Sequence, residues 1–518
     1  MNKILCLFWI FLFCFSPIFP QTSESKVINF SLNDCILKTL ENNFDIAFEA
    51  FNPALSELSV RRSREKFLPQ FSLSYNNSNQ NQLTNWFIEG TEYKIKNSGG
   101  NFGLRQDLIT GGNVYFSLRS STTDSTRSFV SINPSYQGNL SFEITQPLLK
   151  NFGFKINRRE IVKALNQKGI SNFRFKSTLI QKIYEVEVAY WSLVRAMENI
   201  KVREFSLQKS RERMERVVEA EKYGIKTTLD VLESRTQVAS LEDSLQSAES
   251  NVRMAQENLR KLLNLQEDVS GMKMSIIPTD EPIVREYELS FDEAYELALR
   301  ERPEMTINQK EIENSNIDVS YYRNQLLPQL DLRFSSWFPG QSGDRLIYKD
   351  NDPYSGEVVD IIDGGRSDSM KDVFGFKYKN WSLSLDLNIP LGNIISRASL
   401  AEAEMLKEQK LLSEEKGKKT IYYEINETLS EIKTIWKRIN SSTLYRELIE
   451  KRLDAEEEKF NLGLVGSDWL FNYQERYISA KMSETGAIID YKLAMAKLER
   501  ILGTNLKSQN IEFENFEY

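Results

Sequence analysis

At 518 residues the chain is long enough for about three average domains, yet only 23 glycines and 13 prolines punctuate it, 27% of it is charged and its mean hydropathy is −0.44. That balance favours long helices over a string of compact domains. The absence of any histidine excludes imidazole as base, metal ligand or pH switch, and with it Ser-His-Asp catalysis and histidine-ligated zinc. The formal net charge of −7 and the lack of a long basic tract speak against a nucleic-acid partner.

The chain opens with Lys3, an apolar run from Ile4 to Phe19 and a polar stretch from Gln21, which reads as a secretory signal peptide over residues 1–20. Cleavage near Pro20 is one outcome. A lipoprotein cut before Cys14 is the other, and the bulky Phe13 argues against it. Of three cysteines, only Cys35 is expected in the mature chain, so no internal disulfide is available. Beyond residue 20 no run approaches the roughly 18 apolar residues of a transmembrane helix. If the chain enters a membrane, it must do so as part of a closed β-barrel.

An internal repeat organises the rest. The segment from Ser31 to Tyr75 aligns without gaps to that from Ser290 to Phe334: Ser31 meets Ser290, Leu40 meets Leu299, Val60 meets Val319, Arg64 meets Arg323, and Leu68-Pro69-Gln70 meets Leu327-Pro328-Gln329. Pro147 then matches Pro390, Gly224 matches Gly463, and Glu185, Ala255, Leu259 and Leu263 match Glu424, Ala494, Leu498 and Leu502. The chain thus divides into a first repeat (31–265), a linker (266–289), a second repeat (290–503) and a tail (504–518).

Each repeat is predicted to run in the same order. In the first, short helices near 32–43 and 45–66 lead through the Pro-Gln break to a strand near 70–78. There Phe71, Leu73 and Tyr75 alternate with Ser72 and Ser74. A further hairpin, with its turn at Gly111-Gly112, either joins the strands or projects as a loop. The returning strand near 138–147 alternates Leu140, Phe142 and Ile144 with Ser141, Glu143 and Thr145. Long helices follow near 155–222 and 228–264. Ile170–Tyr223 alone, free of Gly and Pro, would make a rod of about 80 Å. The second repeat has strands near 329–337 and 381–390 and helices near 394–461 and 467–502. Its strands alternate likewise, as in Leu383, Leu385 and Leu387 against Ser384, Asp386 and Asn388.

One apolar and one polar face fit a barrel wall between lipid and water, and equally the inner and outer faces of a soluble sandwich. Four strands are few for a sandwich and cannot close a lumen alone, so a barrel implies an oligomer. After Gly224, Val231, Val238, Leu245, Val252 and Leu259 recur every seven residues, with Leu241, Ala248, Ala255 and Leu262 three positions on, which is an a/d seam. The corresponding row after Gly463 is Ala480, Ala487, Ala494 and Ile501.

The duplication, the Leu-Pro-Gln breaks, the QPLLKNFG run at Gln146–Gly153 and the YGIKTTLDVLESR run at Tyr223–Arg235 together resemble the TolC-like outer-membrane efflux proteins over about Ser31–Leu502. The resemblance implies a mainly α chain with a membrane β-barrel portion. It implies a trimer whose four strands per chain, with a possible extra hairpin, close a twelve-stranded barrel continued by a long periplasmic α-helical barrel. The implied location is the outer membrane of a diderm bacterium. The implied partners are two further copies of the chain, a periplasmic adaptor, an inner-membrane transporter and outer-membrane lipid.

By the same resemblance the adaptor docks at the two Gly turns, here Tyr223-Gly224-Ile225 and Leu462-Gly463-Leu464. Exposed apolar residues there either form that contact or plug one another. The family's acidic periplasmic gate corresponds to Asp230 and Glu233, with Asp468 and Trp469 at the equivalent place in the second repeat. For Asp230, N-capping of its own helix is the competing role. The function implied is a passive duct for efflux or type I secretion. A periplasmic coiled-coil adaptor or scaffold is the alternative, and an enzyme with paired carboxylates is a third reading that acids spread along helix faces do not support. No catalytic residue, metal site or cofactor is expected.

Overall fold

A computed structural model describes residues 27–83, 92–127, 130–265 and 275–511, without the side chains of Asn461, Ser467 and Asp468. The expected signal segment with Cys14, linker residues 266–274 and tail residues 512–518 lie outside the described residues. In chain order the first repeat and its linker comprise β1 (Val27–Phe30), α1 (Leu32–Asn42), α2 (Phe44–Glu65), β2 (Gln70–Leu83), β3 (Glu92–Asp107), β4 (Asn113–Ser125), β5 (Ile132–Pro147), α3 (Phe154–Asn157), α4 (Arg159–Lys222), α5 (Thr228–Leu263) and β6 (Ser275–Pro278). There follow α6 (Phe291–Glu301), α7 (Pro303–Gln325), β7 (Gln329–Tyr348), β8 (Val358–Ile362), α8 (Arg366–Phe374), β9 (Asn380–Asn388), α9 (Ile394–Asn461), α10 (Ser467–Leu502) and α11 (Asn505–Ser508).

Repeat-matched residues do matching work. Ser31 and Ser290 each cap a helix, their hydroxyls accepting from the N–H groups of Asp34 (3.2 Å) and Glu293 (3.3 Å), whose carboxylates accept the serine N–H in return. Pro69 and Pro328 stand between the ends of α2 and α7 and the strands that begin at Gln70 and Gln329.

The chain forms two compact units, and each draws on both repeats. Among the described residues one takes 27–47, 179–265, 275–293 and 425–511. In it β1 pairs in parallel with β6, a pairing with no repeat counterpart. The linker beyond β6 is strapped to the helices: the Asp280 carboxylate accepts from the Leu32 N–H (2.6 Å) and the Tyr190 hydroxyl (2.8 Å), and the Tyr491 hydroxyl donates to the Arg285 carbonyl (2.8 Å). Tail residue Asn505 donates to the Ile180 carbonyl (2.8 Å). Along the α4–α5 seam Leu207, Val238 and Leu241 pack together with Met214 and Leu245, and Ala480, Ala487, Ala494 and Ile501 are buried along α10. Cys35 is wholly buried in α1, and burial pushes its thiol up to about 12.

The other unit takes residues 48–178 and 294–424 among those described. Its sheet runs β2-β3-β4-β5-β7, with β9 on the near half of β7 and β8 on the far half. The hairpin left open by the sequence is a full member: β3 pairs with β2 from Gln70↔Arg105 to Leu83↔Glu92, and β4 pairs with β5 from Asn113↔Thr145 to Thr123↔Ser135. The sheet therefore has six strand positions, four repeat-related and two from the hairpin. The hairpin turn is fastened to the QPLLKNFG run: the Gln146 amide donates to the Thr110 carbonyl, Gly153 N–H donates to the same oxygen (2.9 Å), and a Cβ on Gly111 would come within 2.1 Å of the Asn151 carbonyl. That run is in turn bound to the Leu-Pro-Gln segment of the other repeat, through Leu148 N–H to Leu330 O (2.7 Å) and Asn151 N–H to Asn324 Oδ1 (2.7 Å).

Cross-strand registers put Phe71 opposite Leu104, Phe102 opposite Leu118, Phe116 opposite Phe142, Ile144 opposite Phe334, and Phe334 opposite Leu383, so one face is apolar from edge to edge. The reverse face is polar, with Ser117 and Ser141 hydroxyls at 2.6 Å, Ser335 and Ser382 at 2.9 Å, and Arg333 beside Glu143. On the apolar side, beyond Phe338, α8 rests on two facing glycines, Gly138 and Gly340. A Cβ on Gly340 would fall 2.0 Å from the Ser369 carbonyl.

Candidate functional site

The two Gly turns, both in the first unit, have one geometry. Gly224 and Gly463 sit at φ 72 and 73. Each turn is closed by the same pair of bonds, Gly224 N–H to Glu221 O with Ile225 N–H to Ala220 O, and Gly463 N–H to Phe460 O with Leu464 N–H to Lys459 O. These are Schellman terminations, which satisfy the last carbonyls of α4 and α9 and need a left-handed residue at the turn. Flanking them, Tyr223, Ile225, Leu462 and Leu464 are each 70% or more exposed. In the single chain they do not plug one another.

The helices that leave the turns start differently. α5 has a capping box: the Thr227 hydroxyl accepts from Asp230 N–H (3.2 Å), and the Asp230 carboxylate accepts from Thr227 N–H (2.8 Å) and from the Thr227 hydroxyl (2.8 Å). Those bonds, with Lys226 3.9 Å away, hold the Asp230 carboxyl below the usual carboxylate range. The expected gate residue therefore has its carboxylate engaged in capping. Glu233, one turn on, lines a groove with Ser210, Arg213, Thr236, Gln237 and Phe471. Arg213 is buried there, and burial lowers its pKa.

α10 begins at Gly466, which supplies no side-chain cap. Instead the Trp469 indole N–H donates to the Glu456 carboxylate (3.0 Å), which also takes Lys459 (3.1 Å). Lys459 and the indole keep the Glu456 carboxyl below its usual range. The Trp469 ring meets Tyr473 edge-on at 5.7 Å, and Arg452 and Arg476 lie over Tyr473. Sequence reasoning missed Glu456, a carboxylate with 3% of its side chain exposed, because nothing in the sequence pairs it with Trp469 on the next helix. The side chain of Asp468 lies outside the described residues.

Further along the helices, Asp490 on α10 takes the guanidinium of Arg195 from α4 and that of Arg438 from α9. Arg446 on α9 binds Glu484 on α10 at 3.0 Å and Glu450 at 2.8 Å. These carboxylate–guanidinium links join helices rather than assemble reactive groups. Among the described residues no helix is long and apolar enough to cross a membrane.

An amphipathic sheet and paired helical hairpins with apolar tips make up a TolC-like fold. Residues 35–265, almost the whole first repeat, match the outer membrane efflux protein family. No curated protein matches the chain significantly. Among solved structures, a membrane protein from Pseudomonas aeruginosa is similar at 16% identity and TM-score 0.64, over 91% of this chain and 93% of that one. The Campylobacter jejuni CmeC outer membrane channel is similar at 14% identity and TM-score 0.63, over 94% and 90%. The open state of the Neisseria gonorrhoeae MtrE outer membrane channel is similar at 15% identity and TM-score 0.59, over 91% and 88%. The matched family and the CmeC and MtrE channels are of the outer membrane.

Proposed function

We propose that three copies of the chain form a passive exit duct that takes substrate from an inner-membrane transporter and a periplasmic adaptor and releases it outside the cell. No bond is made or broken, and the transporter supplies the energy. The observation that carries this reading is the sheet. Its apolar face, from Phe71, Leu73 and Tyr75 to Trp381, Leu383 and Leu385, is left 60% exposed or more at both ends, which water does not tolerate over such an area and lipid requires. A periplasmic scaffold has no use for that face.

In this duct Tyr223, Ile225, Leu462 and Leu464 form the adaptor's seat, since apolar side chains at a solvent-facing turn gain most by being covered. Glu233, Asp468 and Trp469 contribute to the gate. Asp230 fixes the first turn of α5, and three-fold symmetry would make any carboxylate of it that faces the lumen part of a ring of three.

The test is fractionation of a diderm host's envelope, with the outer-membrane fraction run unheated and boiled on a denaturing gel. A heat-sensitive trimer band in that fraction is expected. A soluble monomer or dimer in the periplasm would sink the duct.

A further inference from the structure

We infer that the membrane wall built by this chain has eighteen strands, six from each of three copies, and is half again as wide as the twelve-stranded wall that four strands per chain would make. The inference rests on the duct reading above and adds the width of its exit.

Three observations carry it. First, β3 and β4 are paired along their full length with β2 and β5, and their turn is locked beneath the wall by Gln146 and Gly153, so the hairpin is wall and not loop. Second, the apolar stripe passes through the hairpin without a break: Phe102 and Leu104 on β3, and Phe116 and Leu118 on β4, face the same way as Phe71 and Phe142. Residues that must face lipid in β2 and β5 have partners in the hairpin that must face lipid too.

Third, among the described residues both edges of the sheet lack a further partner strand, and they fit one another. β2 has a partner on one side only, and β9 likewise. With six alternating positions these edge strands run in opposite directions, so the β9 edge of one copy meets the β2 edge of the next as an antiparallel pair, and no edge is left open in lipid. Six strands are too few to close alone, and the occupant of each edge is a second copy of this chain.

At a strand spacing of about 4.8 Å and a tilt of about 40°, eighteen strands close at about 36 Å between backbones and twelve at about 24 Å. The polar face narrows this opening through Tyr115, Arg119, Glu143, Arg333 and Trp337. Ser72, Ser117, Ser141, Ser335, Ser382 and Ser384 are all short hydroxyl side chains on it.

The experiment uses the full-length protein purified from outer membranes and placed in phosphatidylcholine vesicles. Nitroxide labels are put at Phe116→Cys and Ser117→Cys on the hairpin and, as reference, at Phe142→Cys and Ser141→Cys on β5. Buried Cys35 stays unlabelled. Oxygen and a water-soluble nickel complex serve as relaxants, and native mass spectrometry counts the copies. The expected result is the same reversal in both pairs, with 116 and 142 open to oxygen, 117 and 141 open to nickel, and three copies per particle.

Nickel access at both 116 and 117, with 142 still in lipid, would overturn the inference and leave the duct standing. Two copies per particle would also overturn it, since two sheets close with twelve strands. If 142 is not in lipid either, the duct reading falls with it.

Discussion

Replacing Gly463 by valine tests whether the tip turn acts in docking or in folding. Gly463 lies at φ 73 and nothing stands within 4 Å of where its Cβ would be, so the cost is conformational and not a clash. An L-residue held left-handed costs about 1–2 kcal/mol, more when β-branched, which changes the ratio of formed to frayed turn by a factor of about 5 to 30. Fraying exposes the carbonyls of Lys459 and Phe460 and moves Leu462 and Leu464. It does not reach the ionic links at Arg446 or Asp490, or the buried alanine row of α10. The expected outcome is therefore an intact heat-sensitive trimer with export lost, read by the gel and by dye efflux from the same cells. Gly463→Asn, which tolerates the left-handed region, should keep both. Loss of the trimer in Gly463→Val would refute the reasoning and make the turn a folding element; undiminished export would remove it from the docking site.

Thr227→Ala should loosen the start of α5 by about 1 kcal/mol, visible as faster hydrogen exchange confined to residues near 228–233. Asp230 is held below the usual carboxylate range, so its contribution is present at neutral pH and is lost as pH falls through its lowered value; the Thr227→Ala difference should shrink on acidification. Glu187 is the opposite case: burial, with Glu499 nearby, raises its carboxyl to about 8, and it accepts a bond from the Gln509 amide at 3.1 Å. Its cost is absent below the ordinary glutamate range and grows as pH rises from there to about 8, so Glu187→Gln should raise the melting temperature at pH 8 and leave it unchanged at pH 4. Gly340→Val cannot coexist with the Ser369 carbonyl in its present place, so α8 should leave its seat and residues near 366–374 should become cleavable by external protease on whole cells.

What was legible in the sequence was what repeats in it. The Ser31 and Ser290 caps, the Pro69 and Pro328 breaks and the heptad rows are signals of period or position, and a duplicated chain prints each twice. The alternation in Phe71–Tyr75 and Leu383–Leu387 marks strands for the same reason. The hairpin's place was not legible, because FGLRQDL and VYFSL alternate like any strand. What fixes them in the wall is the fit of Gly111 against Asn151, between residues forty apart. The polar upper stretches of β2 and β7 were likewise missed, since Asn79–Gln82 and Gly340–Asp344 lack apolar alternation and are strands only through their neighbours. Glu456 escaped because the chemistry that singles it out, an indole N–H and an ammonium on one buried carboxylate, lies across two helices.

Those tertiary details also break the symmetry that the duplication set up. The first tip is closed by a capping box, Thr227 and Asp230, local to one helix turn, and by one exposed bond across its helices, from the Thr228 hydroxyl to the Glu221 carboxylate (3.1 Å). The second has no such cap and depends on Trp469 reaching back to Glu456 on the preceding helix. A local cap survives if its helix swings, whereas a cross-helix bond breaks when α9 and α10 part. Both hairpins therefore carry a bond that parting helices would break, solvent-exposed between Thr228 and Glu221 in the first repeat and seated on the buried Glu456 in the second. Opening that moves them would cost the indole bond, and closing would restore it.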